Sequence, residues 1–225
     1  MATTSTSQLN SALLRIDIVS DVVCPWCVIG YRQLYLAMEQ TGIEASIHWH
    51  PFELNPQMPP EGQNMNAHLA EKYGTTVEES TKARERLSQL GQSLGFTFNF
   101  TDNSQMVNTF LAHQMIEWAL EWGRQTDMKL ALFKAHFTDA RDVSDINVLC
   151  QVTDELGLVS SESRKMLENG SLATDVRTMQ QFWTGKGIQG VPAMIFDLKN
   201  LVTGAQGVDT YASLLSRFTA ETMAS

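Results

Sequence analysis

The sequence predicts an α/β fold whose strands lie near the two ends of the chain and are separated by a long helical insertion. Three observations predict it. A strand-like run at residues 14–19 is followed by a helical pattern and a second strand-like run at 44–52. The stretch from about residue 65 to 187 is almost entirely helical in its periodicity, and strand signals return at 191–203. The order is therefore β-α-β, helical insertion, β-β-α.

The first unit is read from LRIDIV at residues 14–19, which alternates in polarity and is rich in β-branched residues, as expected of a strand. A helical pattern begins at Pro25, and Gly42 stands where that helix is expected to end. EASIHWHPF at 44–52 predicts the second strand. A β-α-β unit of this length, roughly 40 residues, predicts a right-handed parallel crossover.

The last unit begins with VPAMIFDLKNLVTG, which predicts a β-hairpin with its turn around residues 197–200. VDTYASLLSRF then predicts a closing helix with its apolar residues on one face. Together the two ends of the chain have the element order of a thioredoxin-type core. We expect residues 12–60 and 188–225 to form this thioredoxin-like domain, 61–187 to form the inserted helical domain, and 1–11 to be a flexible tail.

Composition excludes several classes of function. The 225 residues include 16 Lys+Arg against 25 Asp+Glu, which gives a formal net charge of −9. Such a chain repels phosphate backbones and anionic lipid surfaces, so we expect neither a nucleic-acid partner nor a membrane partner. The polar N-terminus has neither the basic head nor the apolar segment of a secretory signal, and we expect a cytoplasmic protein.

The chemistry of the chain centres on VSDVVCPWCVIG, where Cys24 and Cys27 stand three apart at the predicted start of a helix. Pro25 suits the first helical position. The unpaired N–H groups and the dipole of that helix favour the charged form of the Cys24 sulfur. Cys27, almost one turn on, is within reach of a mixed disulfide on Cys24. The pattern predicts a redox pair in which Cys24 attacks and Cys27 resolves.

The cysteines have two other interpretations. Inert buried thiols would not need Pro between them at a helix start. A zinc site needs about four ligands, and the best further candidates are His48 and His50, which share a face of the second strand. We expect no metal site and no organic cofactor. Cys150, the third cysteine, lies on an apolar helix face and is expected to be a buried small hydrophobe.

A second clue is GIQGVPAMIFD, where Pro192 opens a predicted strand and tolerates its missing N–H. A cis peptide at Val191–Pro192 would leave the backbone groups of Val191 free to pair with an extended substrate. A trans proline on an edge strand is the alternative, because most X–Pro bonds are trans.

Several ordered motifs now support a resemblance: SDVVCPWCVIG, PFELNP, NTFLAH, LFKAHF, GIQGVP and GAQG. In this order they resemble the FrnE-like branch of the DsbA superfamily, from about residue 14 to the C-terminal helix. The resemblance implies a thioredoxin fold with an inserted helical domain and thiol–disulfide oxidoreductase activity on thiol- or disulfide-containing proteins or small thiols. It also implies Cys24 as the exposed nucleophile, Cys27 as the resolver and Pro192 as the cis-proline.

The same branch is related to kappa-class glutathione transferases and 2-hydroxychromene-2-carboxylate isomerases, which carry serine at the position of Cys24. A glutathione-linked isomerase or transferase is therefore the first alternative function. Those enzymes typically hold glutathione with a Ser-Asp pair, where this chain has Ala205-Gln206; glutathione stays a candidate reductant. The alternative from another class is a chaperone-like binding module with incidental cysteines.

Thioredoxin-like proteins tend to carry a buried acid six residues before the nucleophile, and Ile18 stands there in this chain. Asp17 is the candidate proton relay for Cys27, since burial would raise its pKa; a carboxylate at the wet end of the sheet is the alternative. Asp21 would oppose a nearby thiolate, so we expect it to point to solvent.

Four further residues are candidates for the substrate site, each with a structural alternative. We expect Trp26 to be exposed between the cysteines as an apolar landing surface, unless it packs on the insertion. Asn55 and Gln206 are candidates for lining a substrate groove. The alternative for each is a side chain that stabilises a turn. His113, in the NTFLAH motif, could face the cysteines, although a single helix histidine is more often structural.

Overall fold

The helices and strands near the two ends of the chain occur in the predicted order. The computed structural model describes residues 13–223, so the tail predicted at 1–11 lies outside the described part. In chain order the elements are β1 (Leu14–Ser20), α1 (Pro25–Thr41), β2 (Ala45–Pro51), β3 (Gln63–Asn64), α2 (Met65–Tyr73), α3 (Val77–Ser93), β4 (Gln105–Met106), α4 (Phe110–Leu120), α5 (Gln125–Phe137), α6 (Ile146–Glu155), α7 (Ser160–Asn169), α8 (Ala173–Gly185), β5 (Ala193–Phe196), β6 (Asn200–Thr203) and α9 (Val208–Met223).

Four strands form the central sheet in the order β2-β1-β5-β6. β1 runs parallel to β2 and antiparallel to β5, and β5 and β6 form the antiparallel hairpin. Ile18 in β1 lies opposite Trp49 in β2 and Met194 in β5, and all three side chains are buried. The prediction of an α/β thioredoxin fold with a helical insertion is confirmed.

Local sequence signals set the ends of the elements. Pro25 occupies the first turn of α1, and Gly42 ends the helix in the left-handed conformation, where its N–H donates to the Met38 carbonyl at 2.9 Å. A left-handed residue at this position favours glycine because glycine has no Cβ to clash. In the hairpin, Asp197 and Leu198 carry the positive φ angles of the predicted turn.

The insertion between β2 and β5 is mainly helical, as predicted. Its proposed boundaries fall between β2 and β3 on one side and between α8 and β5 on the other. The alternation in GFTFNF does not produce a strand, because its three phenylalanines pack on Phe137 of α5 instead of pairing with a neighbouring strand. Among residues 13–223, no helix is long and apolar enough to cross a lipid bilayer.

One glutamine attaches the insertion to the sheet. Gln125, at the start of α5, accepts a hydrogen bond from the Trp49 N–H at 2.9 Å and donates to the Trp49 carbonyl at 3.1 Å. β2 is an edge strand, so the amide of Gln125 takes the place of a neighbouring strand at this residue. The Trp49 indole N–H also donates to Thr126 at 3.0 Å.

Gln125→Ala is therefore expected to leave two buried backbone groups of Trp49 without partners. An unsatisfied buried group costs roughly 1–3 kcal/mol, so we expect the free energy of unfolding to fall by about 2–4 kcal/mol. Urea unfolding followed by circular dichroism measures this. Gln92→Ala, at an exposed position after α3's last buried residue, is the matched control and should change stability by less than about 0.5 kcal/mol. An equal effect of the two changes would contradict the proposed role of Gln125.

Candidate redox-active cysteine site

The two cysteines lie at the N-terminus of α1, where the chain turns out of β1. Cys24 is the N-cap residue, with φ −94° and ψ 109°, and Pro25 follows at the start of the helix. The Cys27 N–H donates to the Cys24 carbonyl at 3.1 Å, which closes the first turn. Both thiols are free, and each sulfur affects the pKa of the other. The arrangement permits a disulfide to form and break between them.

Cys24 is not the exposed residue that the sequence suggested. It is 3% exposed and Cys27 is 1% exposed. The expectation of an exposed nucleophile is wrong because the loop before β5 lies over the sulfur. The Cys24 thiol donates to the Val191 carbonyl, with 3.7 Å between sulfur and oxygen.

Pro192 and its loop pack directly against α1. The Val191–Pro192 peptide is cis. A Cβ added at Gly30 would come within 3.1 Å of the Pro192 ring, which is tighter than ordinary van der Waals contact. The absence of a side chain at Gly30 therefore allows this loop to approach the helix that carries the cysteines.

Asp21 is buried beside the cysteines, so the expectation that it points to solvent is wrong. Its side chain is fully buried and accepts the Leu54 N–H at 2.7 Å. His113 from α4 lies 3.3 Å from the other carboxylate oxygen and donates to the Phe52 carbonyl at 2.9 Å. Burial disfavours the charged form of Asp21, but the contacts with His113, the Leu54 N–H and the charge of Lys129 outweigh it, and the pKa is lowered. His113 thus reaches the site through Asp21.

Lys129 from α5 is the cation of this buried region. It is 1% exposed. Its Nζ lies 4.9 Å from the ring centroid of Phe133 and 5.4 Å from that of Trp49, which is cation–π geometry. Burial lowers its pKa to about 8, and the opposing charges of Cys27 and Asp21 keep it from falling further.

The surroundings of the two sulfurs differ, and they favour a charge on Cys27. Burial opposes that charge, but the Cys24 thiol, Lys129, the Ser20 hydroxyl and the Asp21 N–H together lower the pKa of Cys27. The pKa of Cys24 is raised, first by its interaction with the Cys27 sulfur and then by burial. The two thiols therefore have pKa shifts of opposite direction.

Asp17 does not have the environment of a proton relay. Its carboxylate is 2.7 Å from the Arg15 guanidinium and 2.7 Å from His50 Nε2. Burial favours the protonated form, but these two partners outweigh it and lower the pKa to about 2. The expectation of a raised pKa is wrong, because a carboxylate that stays ionised at neutral pH cannot hold a proton for Cys27.

The remaining candidate residues, Trp26, Asn55 and Gln206, have different surroundings. Trp26 is 49% exposed and borders a groove of about 540 Å³ against α3, which is lined also by Ala83, Arg86, Leu87, Gln89 and Leu90. The Asn55 side chain accepts a hydrogen bond from Lys72 at 2.6 Å and lies 3.1 Å from His68, so it is engaged with α2. Gln206 donates to the Thr203 carbonyl at 2.6 Å and stabilises the end of the hairpin.

The histidines of β2 have other partners than the cysteines. His48 lies 3.0 Å from the Ser46 hydroxyl, and His50 contacts Asp17 and the ring of Trp183. Within residues 13–223, no group of three or more His, Cys, Asp or Glu side chains is arranged to hold a metal ion. Cys150 is 5% exposed on α6, which confirms its prediction as a buried residue.

Sequence reasoning missed Lys129 and Ser20 and misjudged Asp21. One signal could have found Lys129: it shares a helical face with Leu132 and Phe133, at i+3 and i+4, and both of these are buried. A lysine on an apolar face is a candidate for a buried charge. Ser20, the last residue of β1, carries no comparable signal.

Comparisons with known proteins agree on one family. A model of the DSBA-like thioredoxin domain matches residues 15–216. The crystal structure of a probable DsbA oxidoreductase from Streptomyces coelicolor is 26% identical, with a TM-score of 0.85, and the match covers 92% of this chain and 91% of that one. The uncharacterized protein YwbO of Bacillus subtilis (strain 168) is 24% identical over 204 residues, which is 90% of this chain and 96% of the relative.

A structure of 2-hydroxychromene-2-carboxylate isomerase is also similar, with a TM-score of 0.69 and 13% identity. The match covers 93% of this chain and 98% of that one. At this identity the likeness concerns the fold alone.

Asp17→Asn is expected to lower stability in a pH-dependent way. The folded-state pKa of about 2 lies below the ordinary value of 3.8, so the ionised group stabilises the fold above pH 3.8 and this contribution is lost as the pH falls towards 2. We expect a loss of about 1–2 kcal/mol at neutral pH that shrinks in acid. Urea unfolding at several pH values, with Asp154→Asn at an exposed position of α6 as control, measures it. A loss that is constant with pH would contradict the assignment.

Proposed function

The chain belongs to the DSBA-like thioredoxin domain family, and from this premise we propose that it is a thiol–disulfide oxidoreductase acting through Cys24-Pro25-Trp26-Cys27. We propose further that it belongs to the FrnE-like branch. The observation that carries the proposal is the pair of adjacent free thiols at the N-terminus of α1, with the inner sulfur in surroundings that stabilise a thiolate.

In the proposed cycle Cys24 is the sulfur that meets the substrate. It is the N-cap residue, so it lies on the outer side of the pair and next to the loop of Val191 and Pro192. A substrate sulfur joins Cys24 in a mixed disulfide, and Cys27 forms or leaves the enzyme disulfide on the inner side. The Val191 carbonyl, which now accepts the Cys24 thiol, is the backbone group nearest to an arriving substrate.

The proposed substrates are thiol- or disulfide-containing proteins or small thiols, with glutathione as a candidate reductant. Trp26 and the groove beside α3 give a polypeptide an apolar surface next to the cysteines. We propose a cytoplasmic location and no need for a metal or organic cofactor. A nucleic-acid partner is not proposed, because the net charge of −9 opposes it.

The primary test is reduction of insulin disulfides with dithiothreitol as electron donor. We expect Cys24→Ser to abolish activity, because no sulfur is then placed to receive the substrate. Cys27→Ser should lower turnover, and with insulin in the absence of dithiothreitol it should accumulate a mixed disulfide on Cys24, because no second thiol of the pair resolves it. Mass spectrometry of the non-reduced protein identifies the adduct. Cys150→Ser is the matched control for loss of a buried thiol and should keep activity.

Two outcomes would overturn the proposal in different ways. Turnover that survives Cys27→Ser and depends on glutathione would favour glutathione chemistry on a single thiol, as in the isomerases and transferases. Suppression of client aggregation that survives loss of both cysteines, with no reductase activity in the unchanged protein, would favour a binding module.

Trp26→Ala tests the apolar surface beside the cysteines. Removing an exposed indole from the groove should weaken the binding of protein substrates. The reaction with small disulfides, which do not fill the groove, should be unaffected. We expect kcat/KM for insulin to fall about tenfold, which corresponds to roughly 1.4 kcal/mol of binding. The rate with a small disulfide such as oxidised glutathione should change by less than about twofold. Trp122→Ala, at a comparably exposed tryptophan after α4, is the control; equal losses on both substrates would contradict a substrate role for Trp26.

A further inference from the structure

The groove between α1 and α3 has a lining that is apolar except at two positions. We call it the Trp26 groove; its lining residues are Trp26, Ala83, Arg86, Leu87, Gln89 and Leu90. Residues 83, 86, 87 and 90 have the i, i+3, i+4, i+7 spacing of a single helical face. Trp26 lies two residues after Cys24 on the first turn of α1, so an occupant of the groove lies beside the candidate redox site.

The α3 side of the Trp26 groove is held in place by contacts with α1 and with the core. Arg32 of α1 donates to the carbonyl of Leu94, the residue that ends α3, at 2.8 Å. Leu87 and Leu90 are partly buried and pack against the hydrophobic core. The groove is therefore formed before an occupant arrives, and its walls do not have to be ordered on binding.

Arg86 is the one ionisable residue in the lining of the Trp26 groove. The two other cations of α3 have partners. Lys82 lies 2.7 Å from Glu78, and the buried Arg84 donates to the carbonyl of residue 101 at 2.8 Å. Arg86 is exposed, and within residues 13–223 its guanidinium has neither a hydrogen-bond acceptor nor a carboxylate partner. A guanidinium presents a planar fork of donors that fits a carboxylate, so this position is suited to an acidic group of a ligand.

The size of the helical face indicates what kind of ligand it suits. The stretch from residue 83 to residue 90 spans roughly 10 Å at 1.5 Å per residue, which is about three residues of an extended polypeptide. The net charge of −9 opposes a ligand that is anionic over a large area. Charges are screened beyond about 8 Å at physiological salt, so the local charge of the groove decides for a ligand with only one or two carboxylates.

We propose that the Trp26 groove binds an extended segment of a substrate polypeptide in which apolar side chains stand next to an acidic residue. The apolar side chains lie against Trp26 and Leu87, and the carboxylate pairs with Arg86. This inference rests on the proposed thiol–disulfide function and extends it by naming the chemistry of its protein substrates. An exposed ion pair contributes modestly to affinity, so Arg86 selects among substrates while the apolar contacts supply most of the binding.

Cysteine-free peptides test the proposal, because they bind without any disulfide exchange. Three short peptides share a pair of leucines and differ in the next two residues, which are glutamates, glutamines or lysines. In isotope-labelled protein, the indole N–H resonance of Trp26, identified by its absence from Trp26→Phe, reports binding at the groove. At about 0.15 M salt, we expect the glutamate peptide to bind about fivefold more tightly than the glutamine peptide, and the lysine peptide to bind most weakly.

Arg86→Glu reverses the charge of the groove and keeps its apolar lining. We expect the lysine peptide to bind this variant more tightly than the glutamate peptide, and the affinity of the glutamine peptide to change by less than about twofold. Lys82→Glu makes the same change in net charge on the same helix at a position outside the lining, and it should keep the original order. Circular dichroism verifies the fold. If either variant does not fold, Arg86→Gln and Lys82→Gln replace the pair, and Arg86→Gln should abolish the preference.

A preference for the glutamate peptide that is lost in the Arg86 variant and kept in the Lys82 variant supports the proposal. Equal affinities of the three peptides, or a preference that the Arg86 variant retains, overturn it. A Trp26 resonance that does not move with millimolar peptide also overturns it. So does a dimer in sedimentation equilibrium that Trp26→Ala dissociates, because the groove would then hold a second copy of the chain. None of these measurements needs reductase activity, so their failure is distinguishable from failure of the insulin assay that tests the proposed function.

Discussion

The need to keep ionisable groups charged in a region without water is the constraint on which the site depends. Both thiols at the start of α1 are buried, as are Asp21 in the preceding loop and Lys129 of α5. An isolated charge in such surroundings would cost many kilocalories per mole, and each group would become neutral instead. The structure avoids this for Asp21, whose carboxylate accepts the Leu54 N–H at 2.7 Å and lies 3.3 Å from His113. The chemistry of the sulfurs therefore cannot be separated from the charges behind them.

This constraint explains why the insertion is more than an attached lobe. The sheet and α1 supply the cysteines, Ser20 and Asp21, whereas α4 and α5 supply His113 and Lys129. Gln125 hydrogen-bonds the edge of β2 at Trp49, and the ring of Trp49 lies over Lys129 four residues further along α5. One helix therefore both attaches to the sheet and carries the cation. A shift of α5 relative to β2 would change both the packing and the electrostatics of the cysteine pair.

Sequence patterns predicted what depends on neighbouring residues and failed where distant residues meet. The strands, the start of α1 at Pro25, its end at Gly42 and the hairpin turn all follow from local conformational preferences. The adjacency of the two thiols follows from their spacing on one helical turn. The surroundings of Asp21 depend on residues 54, 113 and 129, whose positions no local pattern specifies. Burial alone predicts a raised pKa for Asp17, whereas its partners lower it: Arg15 on the same strand, and His50, which contacts the carboxylate from β2 although His48 is the residue in register with Asp17.

Burial raises the pKa of both thiols, but the other contacts of the two sulfurs shift their pKa values in opposite directions, and this gives the pair a direction. The Cys24 thiol donates to the Val191 carbonyl and its pKa is raised, so the dithiol is a weak nucleophile at the sulfur to which the proposed cycle brings the substrate. In the disulfide, Cys24 carries no proton. The lowered pKa of Cys27 favours cleavage of the Cys24–Cys27 bond by an arriving thiolate. Attack on the disulfide is thus the better-supported half of the proposed cycle, because the pKa of Cys27, the sulfur that would leave, is lowered. In the reverse half of the proposed cycle, the reduced Cys24 attacks a substrate disulfide, so Cys24 must lose both its proton and its contact with Val191. That reaction would therefore depend more strongly on a substrate that takes over the hydrogen bond of the Val191 carbonyl.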